Sequence, residues 1–289
     1  MWRTFIKLHI LMKDKIKFLS IFYIWMLIGI PLVEIAKLLN VDVKNSFNGA
    51  CLNFVSEVIM FTLCFILYHK SIKEDFKEVK KNKNYFKDIF KLYIGELVVS
   101  ISASIVIVSI ANTFGLSITI GSENNILAQK LLKSAPVLMC MGIAIIGPFY
   151  EEGIMRLGLK KGIKNKGVFA IVSGFIFGII HVVDNLFIIL TLPILGFLLD
   201  KCMDIKDKKK YLLSATSIIT YIGIILGVYY GIHHSLNGII DTKNIIYGIS
   251  YVGIGTYFAI VYLKKNNIFY TIGTHMLVNT IATIFLFFI

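Results

Sequence analysis

VLMCMGIAIIGPFYEEGIMRLGL, running from Val137 to Leu159, is the stretch whose reading decides the fold. A helix crosses a bilayer in about 20 apolar residues, and this segment is long enough. Yet it carries Glu151, Glu152 and Arg156. An ionised group at the bilayer centre costs about 3 kcal/mol on insertion scales, so an intramembrane charge is a functional-site hypothesis by default. Glu151 lies nine residues before Lys160, about 13 Å deep at 1.5 Å per residue. That is deep for a charge snorkelling to the surface.

On a helix, residues four apart share a face and adjacent residues diverge by about 100°. Glu152 and Arg156 are therefore one step apart, with the acid N-terminal to the base, the favoured order for an ion pair. Glu151 falls on the neighbouring face without that partner, which suits it to accept and return a proton near neutral pH. Pro148 removes a backbone donor and is expected to bend the helix, opening this turn toward a cavity.

The rest of the chain has the same character. Hydrophobic residues make up 57% and charged residues 16% of 289 positions, and mean hydropathy is +0.78. The class is a polytopic, all-α membrane protein, a bundle of eight or nine transmembrane helices enclosing an intramembrane cavity. Cys51, Cys64, Cys140 and Cys202 lie in or beside apolar segments without a CxxC, which supports neither a disulfide framework nor a thiolate metal site. The net charge of +13 sits in short loops, so it reports membrane orientation and no nucleic-acid partner. Met1–Lys17 shows no small-residue cleavage site and is not read as a removable signal.

Hydropathy places spans near 18–38, 51–69, 92–114, 136–159, 167–183, 186–200, 211–231, 244–263 and 268–288. Basic residues crowd Met1–Lys17, Lys70–Lys91, Lys160–Lys166, Lys201–Lys210 and Lys264–Lys265, every second loop of a nine-span count. The loops near 39–50, 115–134, 184–185 and 232–243 carry few. The positive-inside rule then puts the N-terminus in the cytoplasm and the C-terminus outside, in a multi-pass protein of the cytoplasmic (plasma) membrane. The chain is rich in Lys, Ile and Asn with little Arg, a style of low-GC bacteria. The expected organisation is N-terminal helices over 1–135 and a catalytic core over 136–289, with an inserted hairpin around 186–240.

Two further polar positions lie at membrane depth. His181 follows Gly174 and Gly178, a stripe of small residues that allows close helix approach. His275 and Asn279 share one face, and two such donors suit an oxyanion hole or, equally, a polar stripe pairing with a neighbouring helix. Other protease chemistries are missing: no HExxH, no GxSxG elbow, and Asp184, Asp200 and Asp241 all fall at span ends.

The order E-E-x-x-x-R (Glu151, Glu152, Arg156), F-x-x-x-H (Phe177, His181) and H-x-x-x-N (His275, Asn279) resembles the CPBP family. This is the Abi or type II CAAX prenyl protease group of intramembrane endopeptidases, with its lysostaphin-resistance-protein-like members. The resemblance covers roughly Pro136 to Asn279. It implies that Glu151 and His181 activate the water that attacks the scissile carbonyl near the cytoplasmic membrane face. It also implies that His275 and Asn279 stabilise the oxyanion, and that Glu152 with Arg156 holds the glutamate turn in place. The family is also described as metalloprotease; if Zn²⁺ is used, Glu151, His181 and His275 are its ligands, but the metal-free version is the expectation. The substrate is a peptide or protein at the membrane, and the lipid bilayer is the other partner. One departure stands out: His181 and His275 are 94 residues apart, more than the family pattern leads one to expect. The stretch Gly227–Gly238, with His233, His234 and Asn237, echoes Gly174–Asn185 and offers a rival middle motif. Depth favours His181. A scaffold or bacteriocin-immunity protein, or a proton-coupled transporter, is the alternative to the protease.

Overall fold

The computed structural model describes residues 17–115 (apart from 19 and 23), 123–182 and 242–288. Among these residues all regular structure is helical, as the composition demands of a chain whose backbone polar groups must be satisfied within the bilayer. A short helix, Ser20–Leu27, leads at a 42° bend into α1 (Gly29–Leu38). There follow α2 (Ser46–Val79), α3 (Tyr85–Phe114), α4 (Glu123–Ser134), α5 (Pro136–Gly162), α6 (Lys166–Val182), α7 (Thr242–Lys265) and α8 (Ile268–Phe288).

Local sequence sets several of these ends. Asn45 caps α2, its side chain accepting from the Phe47 and Asn48 amides at 2.9 and 3.3 Å, which satisfies two of the orphan donors of a helix start. α3 stops at Gly115, whose φ of 63° is the left-handed conformation of a helix C-terminus. Pro136 opens α5 at the position where a missing N–H costs nothing.

Among the described residues, α2, α3, α5 and α8 are long and apolar enough to cross a membrane, and the bent pair ending in α1 makes a fifth. α5 is the central one. Half of its apolar window is buried inside the protein, against 22–28% for the other three. It packs on α2, α6 and α8, around Tyr150, Ile154, Met155, Phe169, Ile268 and Ile272. α2 and α3 instead turn Val55, Phe65, Ile66, Val98, Ile101 and Ile105 outward. An exposed apolar face of that size is untenable in water and natural against lipid. The expected spans 186–200 and 211–231, and with them His233, His234 and Asn237, lie outside the described residues. One segment differs from expectation: the loop read over 115–134 contains α4, a polar helix lying against α2 and α5.

The lysine-rich turns gather at one end of the bundle. Asp75 of α2 accepts from the Ile268 amide at 2.8 Å, and Asn267 donates to the Asp75 carbonyl at 2.7 Å. Asn82 donates to Tyr270 Oη at 2.6 Å, and Lys265 pairs with Asp88 at 3.1 Å. Lys161, beyond α5, lies over the Tyr68 ring of α2. The α2–α3, α5–α6 and α7–α8 turns therefore share a side.

α6 and α7 form the most extensive helix pair, because glycine permits it. A methyl group at Gly174 would collide with Thr256 and the Val252 carbonyl, and one at Gly178 with Val252. Gly174→Val is expected to destabilise the protein by about 1–3 kcal/mol, the cost of overpacking, read as a lower thermal midpoint in detergent. Gly29→Ala, where nothing lies within 4 Å of the added carbon, is the control and stays within about 0.5 kcal/mol.

Candidate active site

α5 is wound irregularly around its two glutamates. Gly142–Ile146 and Gly153–Gly158 bond in the i→i+5 π register, on either side of the α-helical Gly147–Glu152. Such π-turns are rare and concentrate at functional sites. The first is coupled to Pro148. The Gly147 amide donates to the Gly142 carbonyl, so in that register the Ile143 carbonyl should receive residue 148. That residue is proline and has no N–H. Asn279 of α8 supplies the missing donor, its Nδ2 reaching the Ile143 carbonyl at 2.9 Å.

One turn on, Glu152 and Arg156 pair side by side. Arg156 Nε donates to Glu152 Oε2 at 2.8 Å and a terminal nitrogen to Oε1 at 3.4 Å. Its other terminal nitrogen donates to Ser173 Oγ of α6. Glu152, Arg156 and Ser173 are all fully buried. Glu152 Oε1 also meets His275 Nδ1 of α8 at 3.2 Å. The ion pair thus reaches from α5 to both α6 and α8.

The two histidines are oriented in the same manner. His181 Nδ1 contacts the Phe177 carbonyl at 2.7 Å, and His275 Nδ1 contacts the Arg156-paired carboxylate. A carbonyl and an ionised carboxylate only accept, so each Nδ1 carries the proton and each Nε2 is left to the cavity. Ring packing holds them there: His181 stacks on Tyr251 with centroids 4.7 Å apart, and His275 lies 5.0 Å from the Phe258 ring. Glu151 Oε2 stands 3.9 Å from His181 Nε2 and 3.8 Å from His275 Nε2. These separations exceed a direct hydrogen bond.

The group opens into a cavity of about 700 Å³ lined by Glu151, His181, His275 and Asn279. Glu152 and Arg156 lie behind that wall. Spans 4, 5 and 9 of the sequence reading therefore converge, and all seven motif residues, Phe177 included, gather at or directly behind the cavity wall. Two more carboxyls, Glu57 of α2 and Glu96 of α3, line the same cavity. Neither belongs to a motif, although the cost of intramembrane charge that singles out Glu151 applies equally to them. As for a Zn²⁺ site at Glu151, His181 and His275, no group of three or more His, Cys, Asp or Glu among the described residues has the spacing to hold a metal ion. The donors do not fit a metal centre as placed.

Comparison with known proteins bears on the same region. No curated protein and no solved structure matches the chain. A family model described as type II CAAX prenyl endopeptidase Rce1-like matches residues 133–208 and 208–281, just over half of the 289 residues. The first piece holds Glu151, Glu152, Arg156 and His181, and the second His275 and Asn279. Their junction lies within the stretch 186–240 read as an insertion. With helices that suit a bilayer and a buried polar cluster inside the matched region, the chain belongs to the Rce1-like family of type II CAAX prenyl endopeptidases, which are intramembrane proteases.

Proposed function

We propose that this protein hydrolyses a peptide bond of a membrane-associated peptide or protein, using a water held between Glu151, His181 and His275. The observation that carries the reading is the convergence of Glu151 Oε2 with the Nε2 atoms of both histidines. Glu151 takes the water's proton as the oxygen attacks the scissile carbonyl, and returns it to the leaving amine. His181 accepts from the same water through Nε2 and orients it. His275 in its imidazolium form keeps the Nδ1–H that Glu152 accepts and donates its Nε2–H to the oxyanion as charge develops there.

Asn279 has a double assignment. One amide hydrogen is engaged by the Ile143 carbonyl, and the second is available for the oxyanion. Glu152 and Arg156 act from behind as positioning residues. The cytoplasmic-membrane location, with the lysine-rich turns and the N-terminus on the cytoplasmic side, follows from the positive-inside rule.

Three outcomes are expected. Glu151→Gln lowers kcat about 10²–10⁴-fold, the usual worth of a general base, in purified protein whose thermal midpoint is retained. Unchanged cleavage would exclude Glu151 as the base, and ion-driven uptake depending on Glu151 would favour a transporter. Arg156→Leu strands the buried Glu152 carboxylate and costs about 3–5 kcal/mol. The double variant Arg156→Leu with Glu152→Leu recovers part of that loss in the same unfolding assay. Asn279→Ala leaves the Ile143 carbonyl unpaired and destabilises by about 1–3 kcal/mol. Adding Pro148→Ala restores an N–H at position 148 and returns part of the stability but not the activity. If stability did not recover, the coupling of Asn279 to the proline would be refuted.

A further inference from the structure

The proposed mechanism uses Glu151 and leaves two other carboxyls of the same cavity without a task. Glu57 and Glu96 enter from α2 and α3, outside the helices that carry the motifs. Both are buried, 9% and 1% exposed. Each has one oxygen engaged by a neighbour on its own helix: Asn53 Nδ2 donates to Glu57 Oε1 at 2.8 Å, and Ser100 Oγ donates to Glu96 Oε1 at 2.5 Å. Glu57 Oε2 is buried without a hydrogen-bond partner.

A second, independent group in the cavity is in the same condition. Thr283 of α8, 3% exposed, lines the cavity and its Oγ1 is also unpartnered. Buried polar groups in folded proteins are nearly always satisfied, and an exception asks for an explanation. Carboxylate and hydroxyl oxygens have acceptance in common, and the group that satisfies several acceptors at once is a donor-only cation, an ammonium or guanidinium. Among the described residues lining the cavity there is no lysine or arginine, in a chain that has 30 of them.

Resting on the protease reading above, we propose that Glu57, Glu96 and Thr283 form a subsite for the side chain of a lysine or arginine in the peptide substrate, so that this protein prefers basic peptides. Position along α5 supplies the register. The Glu57 carboxylate lies against Gly142, and the Glu151 carboxylate lies beside Gly147. These glycines are five residues apart, one turn in the π register and about 7 Å along the axis, so the two carboxylates lie one turn apart on one face of α5. An extended peptide advances about 3.3–3.6 Å per residue. The basic residue therefore sits roughly two positions from the cleaved bond.

The test uses purified full-length protein in detergent and N-acetylated quenched-fluorescence peptides. One position near the cleaved bond is varied among Lys, Arg, Gln and norleucine. Wild type is expected to cleave the Lys and Arg peptides with kcat/KM at least about tenfold above norleucine, mostly through KM. The double variant Glu57→Gln with Glu96→Gln is expected to lose that ratio. Thr283→Val keeps the volume and serves if the double variant fails to fold; it should lower the ratio about threefold. Equal cleavage of Lys and norleucine peptides, or an unchanged ratio in the variants, overturns the subsite and leaves the protease reading intact. A preference that follows a free N-terminal amine in unacetylated peptides also overturns the side-chain assignment. If no peptide is cleaved, the protease reading falls, and fluorescence anisotropy of the labelled peptides decides the subsite. A lysine peptide that binds no tighter than the norleucine peptide refutes it.

Discussion

A charge inside a bilayer helix must find a partner, and the Glu152–Arg156 pair is how this protein meets that constraint. The guanidinium is fully buried, and a lone arginine there would be prohibitively costly. Its five donors need acceptors, and one carboxylate cannot supply them all. Ser173 therefore joins from α6. The carboxylate in turn has lone pairs to spare, and His275 of α8 uses one. Desolvation thus ties three helices together at one depth. The group that faces the cavity, Glu151, is the neighbouring residue left out of that network of close bonds.

The backbone obeys the same rule. In lipid every carbonyl needs a donor, because no water is present to substitute. Pro148 breaks the ladder beside a π-turn and leaves the Ile143 carbonyl open, and Asn279 closes it from another helix. The defect that widens α5 and the residue that braces α8 against it are one device. The open carbonyl and its support sit within the same helix as the glutamates, one to two turns before them.

Much of this was legible in the sequence, and each success has a physical reason. The ion pair between Glu152 and Arg156 follows from a four-residue spacing on a helix, a local property. The close α6–α7 contact follows from Gly174 and Gly178, since two small residues at that spacing admit a partner backbone. What escaped is equally instructive. Glu57 and Glu96 belong to no motif, and single acids in apolar helices look alike until the helices are assembled. α4 is invisible to a hydropathy window because its twelve residues, ENNILAQKLLKS, are too polar to register there. The coupling of Pro148 to Asn279 spans more than a hundred residues and leaves no trace in local pattern.

By itself the sequence determined the membrane class, the long apolar helices among the described residues and the ion pair, because hydropathy and four-residue spacing act within one helix. Tertiary structure alone decided that Glu151 meets the Nε2 atoms of His181 and His275, and that Nδ1 of each ring is occupied. It alone brought Glu57, Glu96 and Thr283 to the same cavity. Distances between helices depend on side-chain packing and on the search of buried polar groups for partners. Neither is written in the order of residues along a single span.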